Sequence, residues 1–240
     1  MGRSSRRRSC IAGWRRGADI GFETVRIAIE IGIFLFIGMT AREFARAWTA
    51  ARLGDPTPRL WGRLTLDPRA WFDPFGSGFV PVLVLILWAA AARLLPAPAA
   101  YGKPAPIDPA YFRKPVRDQV LVGLAGPLTN IALGVLGGVV LRAALSSVSF
   151  DIANALAVFE FTQFSLAIFH LLPIPGLDGA RLVGLLLPPD AAAVYRNLDK
   201  YLPLFVLVAL FVIAGVIQGI IFDLVDAMCR VASGFSCSPG

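Results

Sequence analysis

Apolar positions along this chain come in long, nearly unbroken runs, not as one face of short amphipathic helices. The runs lie at about 26–47, 79–95, 119–145, 152–172 and 201–225. Each is long enough, at about 1.5 Å of rise per residue, to cross a hydrocarbon layer of about 30 Å. They predict five transmembrane helices, or six if a half-span lies between them. The intervals are polar and rich in Pro and Gly. Within Arg52–Ser77 the segment R-L-W-G-R-L-T-L alternates and carries Thr and Trp, which predicts a short β hairpin at the membrane surface. Pro96–Pro115 holds too many prolines for a regular helix and predicts an extended path. The expected fold is an all-α polytopic membrane protein with a short membrane-surface β hairpin. It divides into a basic disordered tail at 1–18, a transmembrane domain at 19–228 and a C-terminal tail at 229–240.

Composition agrees with that pattern. Hydrophobic residues make up 56% of the chain and charged residues 16%, and mean hydropathy is +0.67, too apolar for an ordinary soluble domain of this length. The net charge of +7 lies mostly outside the apolar runs, so it reads as topology-setting and lipid-facing charge. No nucleic-acid-binding motif accompanies it. The expected location is a multi-pass integral protein of a bacterial cytoplasmic membrane, with membrane lipids as partners. An Arg-rich stretch precedes the first apolar run, but that run carries Glu30 and continues into the polar motif below, which favours an uncleaved anchor over a removed leader. Cys10, Cys229 and Cys237 sit in the two tails with no metal-type spacing. Being odd in number they make no closed disulfide framework, although Cys229 and Cys237 are near enough in sequence to bridge.

Polar residues inside the runs are the candidates for chemistry. Arg42, Glu43 and Arg46 end the first run, and their spacing puts both arginines on one helix face with the acid beside them. Such charges either snorkel to the interface or face inward as a buried cluster. Asn130, in the third run, needs a partner inside the bundle. In L-L-P-I-P-G-L-D-G, Pro173 and Pro175 break the fourth helix just before Asp178 and Gly179. An acid at such a break is a functional candidate by default.

The segments A-R-E-F-A-R-A-W, R-L-G-D-P-T-P-R-L-W-G-R-L-T-L-D-P, D-P-F-G, K-P-A-P-I-D-P, A-G-P-L-T-N and L-L-P-I-P-G-L-D-G run in order from about Ile33 to Leu187. Together they resemble the short bacterial branch of the site-2 protease family of intramembrane zinc metalloproteases. The resemblance implies that Arg42 and Arg46 stand where the family has the two histidines of H-E-x-x-H. It also places Glu43 at the family's general base, Asp178 at its third zinc ligand and His170 at an asparagine that orients substrate. Asn130, Pro173 and Gly179 become substrate-binding or structural positions.

Arginine offers only donors and a permanent charge, so it cannot ligate zinc. Two arginines and two carboxylates sum to zero charge, as zinc, two histidines and two carboxylates do in the family. No cofactor is therefore expected, although the family uses zinc. The expected function is a catalytically inactive homologue that binds transmembrane or extended membrane peptides as a regulator or scaffold. Two alternatives remain open: an active zinc metallopeptidase with an atypical ligand set drawn from Glu43, Asp178 and His170, or a structural or transport protein. A transporter would show internal repeats, and none is visible. Neither oligomeric state nor client identity can be read from the residues.

Overall fold

The computed structural model describes residues 22–90, 99–208 and 218–237. The expected 1–18 tail lies outside them. The helices are α1 (Phe22–Arg52), α2 (Thr57–Leu60), α3 (Pro68–Trp71), α4 (Val80–Ala90), α5 (Pro115–Ala144), α6 (Phe150–Leu171), α7 (Asp178–Gly184), α8 (Pro189–Asn197) and α9 (Gln218–Ala232). A π turn at Pro74–Phe79 and 3-10 turns at Pro109–Tyr111 and Leu198–Tyr201 connect some of them.

Two expectations are corrected. Among the described residues only α5 and α6 are long and apolar enough to cross a membrane, not five or six helices. The first expected span lies in α1, which is long enough but carries Arg26, Glu30, Arg42, Glu43 and Arg46. The second is described only as α4, whose 11 residues rise about 16 Å, half a bilayer core. The last is described only toward its ends, because 209–217 lie outside the described residues.

The second correction is the β hairpin: the described residues contain no strand. Pro58, in the first turn of α2, lacks an amide to give to a ladder, and Gly62 turns at φ +64°. Downstream, the Asp67 side chain accepts from the Arg69 amide at 3.0 Å, capping α3 with Pro68 in its first turn. The alternating residues meet no partner strand, and Leu60 and Trp61 are 78% and 70% exposed.

Among the described residues α5 packs along α6, α1 lies against both, and α9 packs on α6 and α5 from the other end of the chain. One core layer joins Ile27, Ile31 and Leu35 of α1 to Leu141 of α5 and to Ala157, Val158 and Leu166 of α6. Close approach of α5 to α6 depends on missing side chains. A Cβ on Gly134 would fall 2.5 Å from the Phe164 ring, and one on Gly137 would fall 2.7 Å from Phe159.

Candidate functional site

Three parts of the chain converge on one polar cluster. The first is the C-terminal half of α1, which carries Arg42, Glu43 and Arg46. The second is the corner between α6 and α7. Leu172 leaves α6 in an extended conformation, Gly176 turns at φ +89°, and α7 opens on Asp178. Gly179 is forced at this corner, since a Cβ there would lie 2.1 Å from the Leu171 carbonyl oxygen and 2.4 Å from that of Leu172. The third is the loop 99–109, strapped down by backbone amides. Tyr101 N–H donates to Gly76 O at 3.1 Å and Lys103 N–H to Trp71 O at 2.9 Å. Asp108 N–H donates to the buried Asp55 carboxylate at 2.8 Å. Between them, Ala105 N–H donates to Glu43 Oε2 at 3.1 Å.

The geometry of the cluster is that of an interlocked double ion pair. Arg42 Nη1 donates to Glu43 Oε1 at 2.6 Å, and Arg42 Nη2 donates to Asp178 Oδ2. Arg46 Nη1 donates to both Glu43 oxygens, at 3.0 and 2.9 Å. Arg46 Nε lies 3.2 Å from Asp178 Oδ1, an ion-pair distance without hydrogen-bond alignment. All four side chains are at most 4% exposed. Burial alone would raise the Asp178 carboxyl, but the Arg46 and Arg42 guanidiniums beside it hold it below its ordinary value. Helix α5 closes the cluster with Gly126, where a Cβ would lie 3.1 Å from Arg46 Cδ and from Asp178 Oδ2.

The remaining candidate residues lie around this cluster, with one exception. Asn130, one turn beyond Gly126 on α5, is fully buried, and neither amide atom has a hydrogen-bond partner. His170 donates from Nδ1 to the Leu166 carbonyl at 2.9 Å; Nε2 is buried and unpartnered. It lies near enough to feel the charges of Arg42 and Asp178. Pro173 lies outside the cluster: it is exposed, and its carbonyl accepts from Tyr195 Oη at 2.7 Å. Two participants are not foreseen from the sequence. The Ala105 amide carries no side-chain signal. Arg181, one turn past Asp178, could have been suspected from its spacing. With Ile107, Phe112, Val122, Tyr195 and Asp199 it lines a cavity of about 180 Å³ beside the cluster.

As a metal site the cluster does not fit. Zinc needs three lone-pair donors and an open position. Here two of the four central side chains offer only N–H groups, and both carboxylates are engaged by guanidiniums. The unpartnered acceptors around it are His170 Nε2 and the Asn130 amide oxygen, too few for a three-ligand zinc site.

Comparison with known proteins gives the relationship. The chain is 32% identical over 176 residues to "Putative zinc metalloprotease YwhC" of Bacillus subtilis (strain 168), covering 70% of this chain and 74% of that protein. The chain belongs to this metalloprotease family. It is also 30% identical over 212 residues to "Putative zinc metalloprotease Rip2" of Mycobacterium tuberculosis (strain ATCC 25618 / H37Rv), covering 85% and 78% of the two chains. Its identity to the Rip2 of Mycolicibacterium smegmatis is 31% over 168 residues, covering 68% and 61%. These relatives are consistent with the site-2 protease resemblance, and they associate zinc with the family. No family model matches the chain. No solved structure matches it either.

Proposed function

We propose that this member of the zinc metalloprotease family is catalytically inactive, with Arg42 and Arg46 standing where zinc-ligand histidines would be. It acts by binding a transmembrane or extended membrane peptide as a regulator or scaffold in a bacterial cytoplasmic membrane. The observation that carries this reading is the state of Glu43. Its two oxygens accept from Arg42, Arg46 and the Ala105 amide, so the carboxylate has no lone pair directed at a water or a scissile bond. A general base needs the proton it abstracts within hydrogen-bond reach. Membrane placement is supported by the apolar α5 and α6 and by the exposed apolar side chains Val25, Ile29, Ile33 and Ile37 down one face of α1.

The binding half of the proposal rests on the cavity beside the cluster. A volume of about 180 Å³ has room for a large side chain and not for a helix, so it would take one anchor residue of a client lying across the loop 99–109. The test uses purified full-length protein in lipid nanodiscs. No cleavage of a single-span test substrate is expected, and a photo-crosslinker at Ile107 should capture that substrate more strongly than one at the exposed Leu136. Cleavage that disappears in Glu43→Gln would overturn inactivity and favour the atypical ligand set. Equal capture at both positions would remove the binding role.

A further inference from the structure

A second cluster, which shares no residue with the one around Glu43 and Asp178, holds Glu160, Cys229 and Cys237. Glu160 is the one acid of α6 beyond its first turn and is fully buried. Its Oε1 has no aligned hydrogen-bond partner: the Ser233 hydroxyl beside the carboxyl donates instead to the Cys229 carbonyl. Helix α5 is notched to admit it: a Cβ on Gly138 would lie 2.5 Å from Oε1 and 2.8 Å from Ala232 Cβ. The two thiols arrive from the C-terminal segment. Cys229 is in the last turn but one of α9, and Gly234, at φ +85°, reverses the chain after the helix. Cys237 is then pinned by its own amide, which donates to Asp226 Oδ1 at 3.0 Å. Both cysteines are free and fully buried, and Cys237 Sγ is 3.5 Å from Glu160 Oε2. One ligand atom from each of the three residues lies within 4.8 Å of the others.

These are the donors and nearly the distances of a transition-metal site. Zinc bonds of about 2.3 Å to sulfur and 2.0–2.2 Å to oxygen set tetrahedral ligand separations of about 3.5–3.8 Å, so the three atoms need to draw in by at most about 1.3 Å. The surroundings are Phe161, Phe164 and Val225 with partly buried neighbours, an apolar shell of low dielectric. An unpartnered carboxylate oxygen there is costly to bury, and a cation would satisfy it. Thiolates select soft or borderline metals over magnesium and calcium.

We propose that Glu160, Cys229 and Cys237 bind one thiophilic divalent cation of the zinc class, with water in the fourth position, and that it clamps the C-terminal segment to α6. Binding exchanges the two thiol protons, and the carboxyl proton where Glu160 carries one, for the cation; these protons pass to solvent and the metal keeps its oxidation state. The sequence shows no metal-type spacing at these cysteines. Their spacing was uninformative because the third ligand comes from a different helix.

The test titrates reduced, full-length protein in detergent with cobalt(II) alone, under anaerobic conditions. One cobalt per chain is expected, with a thiolate-to-cobalt charge-transfer band in the near ultraviolet that zinc abolishes by displacement. Cys229→Ser and Cys237→Ser should each remove the band, and Cys10→Ser should leave it. Glu160→Gln should weaken zinc binding by at least the about 10–100-fold that losing an outer partner costs. A wild-type protein without the thiolate band would overturn the proposal whatever the variants do. So would a Cys229–Cys237 disulfide in the protein as isolated, or a band retained in Cys237→Ser.

Discussion

At the scale of single residues, the question is what two arginines do between two acids in a dry interior. Arg42 reaches both carboxylates through its two terminal nitrogens, so it joins α1 to α7 directly. Removing one member of a buried pair typically costs about 3–5 kcal/mol, because the partner is left charged without compensation. Asp178→Ala and Arg42→Ala should each destabilise the protein by about that amount, and the double variant should cost much less than their sum. Chemical unfolding of the four proteins in one detergent provides the cycle, and strictly additive effects would show that the contact contributes nothing. How much of this was legible follows from where each group comes from. Once α1 is helical, the spacing of Arg42, Glu43 and Arg46 places them side by side. The meeting with Asp178 came from resemblance, because nothing local in the sequence links α1 to α7. The Ala105 amide was not legible, since a backbone donor becomes specific only when Trp71 and Asp55 fix the path of the loop.

At the scale of elements, apolar run length located α5 and α6, since both helices coincide with long apolar stretches. Alternation misled in Arg52–Ser77, where proline and aspartate caps start single-turn helices before any ladder can pair. Run length also overcounted spans by giving too little weight to charge within α1. The corner between α6 and α7 was visible as a proline break, but its tightness depends on Gly179. Gly179→Ala drives a Cβ against two backbone carbonyls, which cannot move without shifting the corner and Asp178 with it. Overpacking of this kind costs about 1–3 kcal/mol. Gly32→Ala, in α1, meets nothing within 4 Å and should stabilise by about 0.4–1 kcal/mol through lost unfolded-state freedom. Thermal unfolding of the two variants decides it: Gly179→Ala unfolding at or above the wild-type temperature would mean that the corner is looser than its contacts imply.

At the scale of the whole molecule, two of the exposed apolar surfaces among the described residues differ in kind. One is aliphatic, on the outer faces of α1 and α5: Val25, Ile29, Ile33 and Ile37, then Leu128, Leu136 and Val139. The other is aromatic, around α2 and α3, where Leu60, Trp61 and Phe72 are exposed and the Arg63 guanidinium covers the ring of the buried Trp71. Aliphatic surface suits the hydrocarbon core, whereas an exposed Trp such as Trp61 suits the headgroup level, where a ring is half in water. If the molecule sits in a bilayer in this way, position 33 is deep and position 61 shallow. In protein otherwise lacking tryptophan, fluorescence from Trp61 should be quenched best by lipids brominated near the headgroup. Fluorescence from Ile33→Trp should be quenched best by lipids brominated near the chain ends. Aqueous iodide should reach Trp61 partly and position 33 hardly at all. Efficient iodide quenching at both positions, with no response to either bromolipid, would place both surfaces in water and leave the apolar face of α1 to be covered by protein instead of lipid.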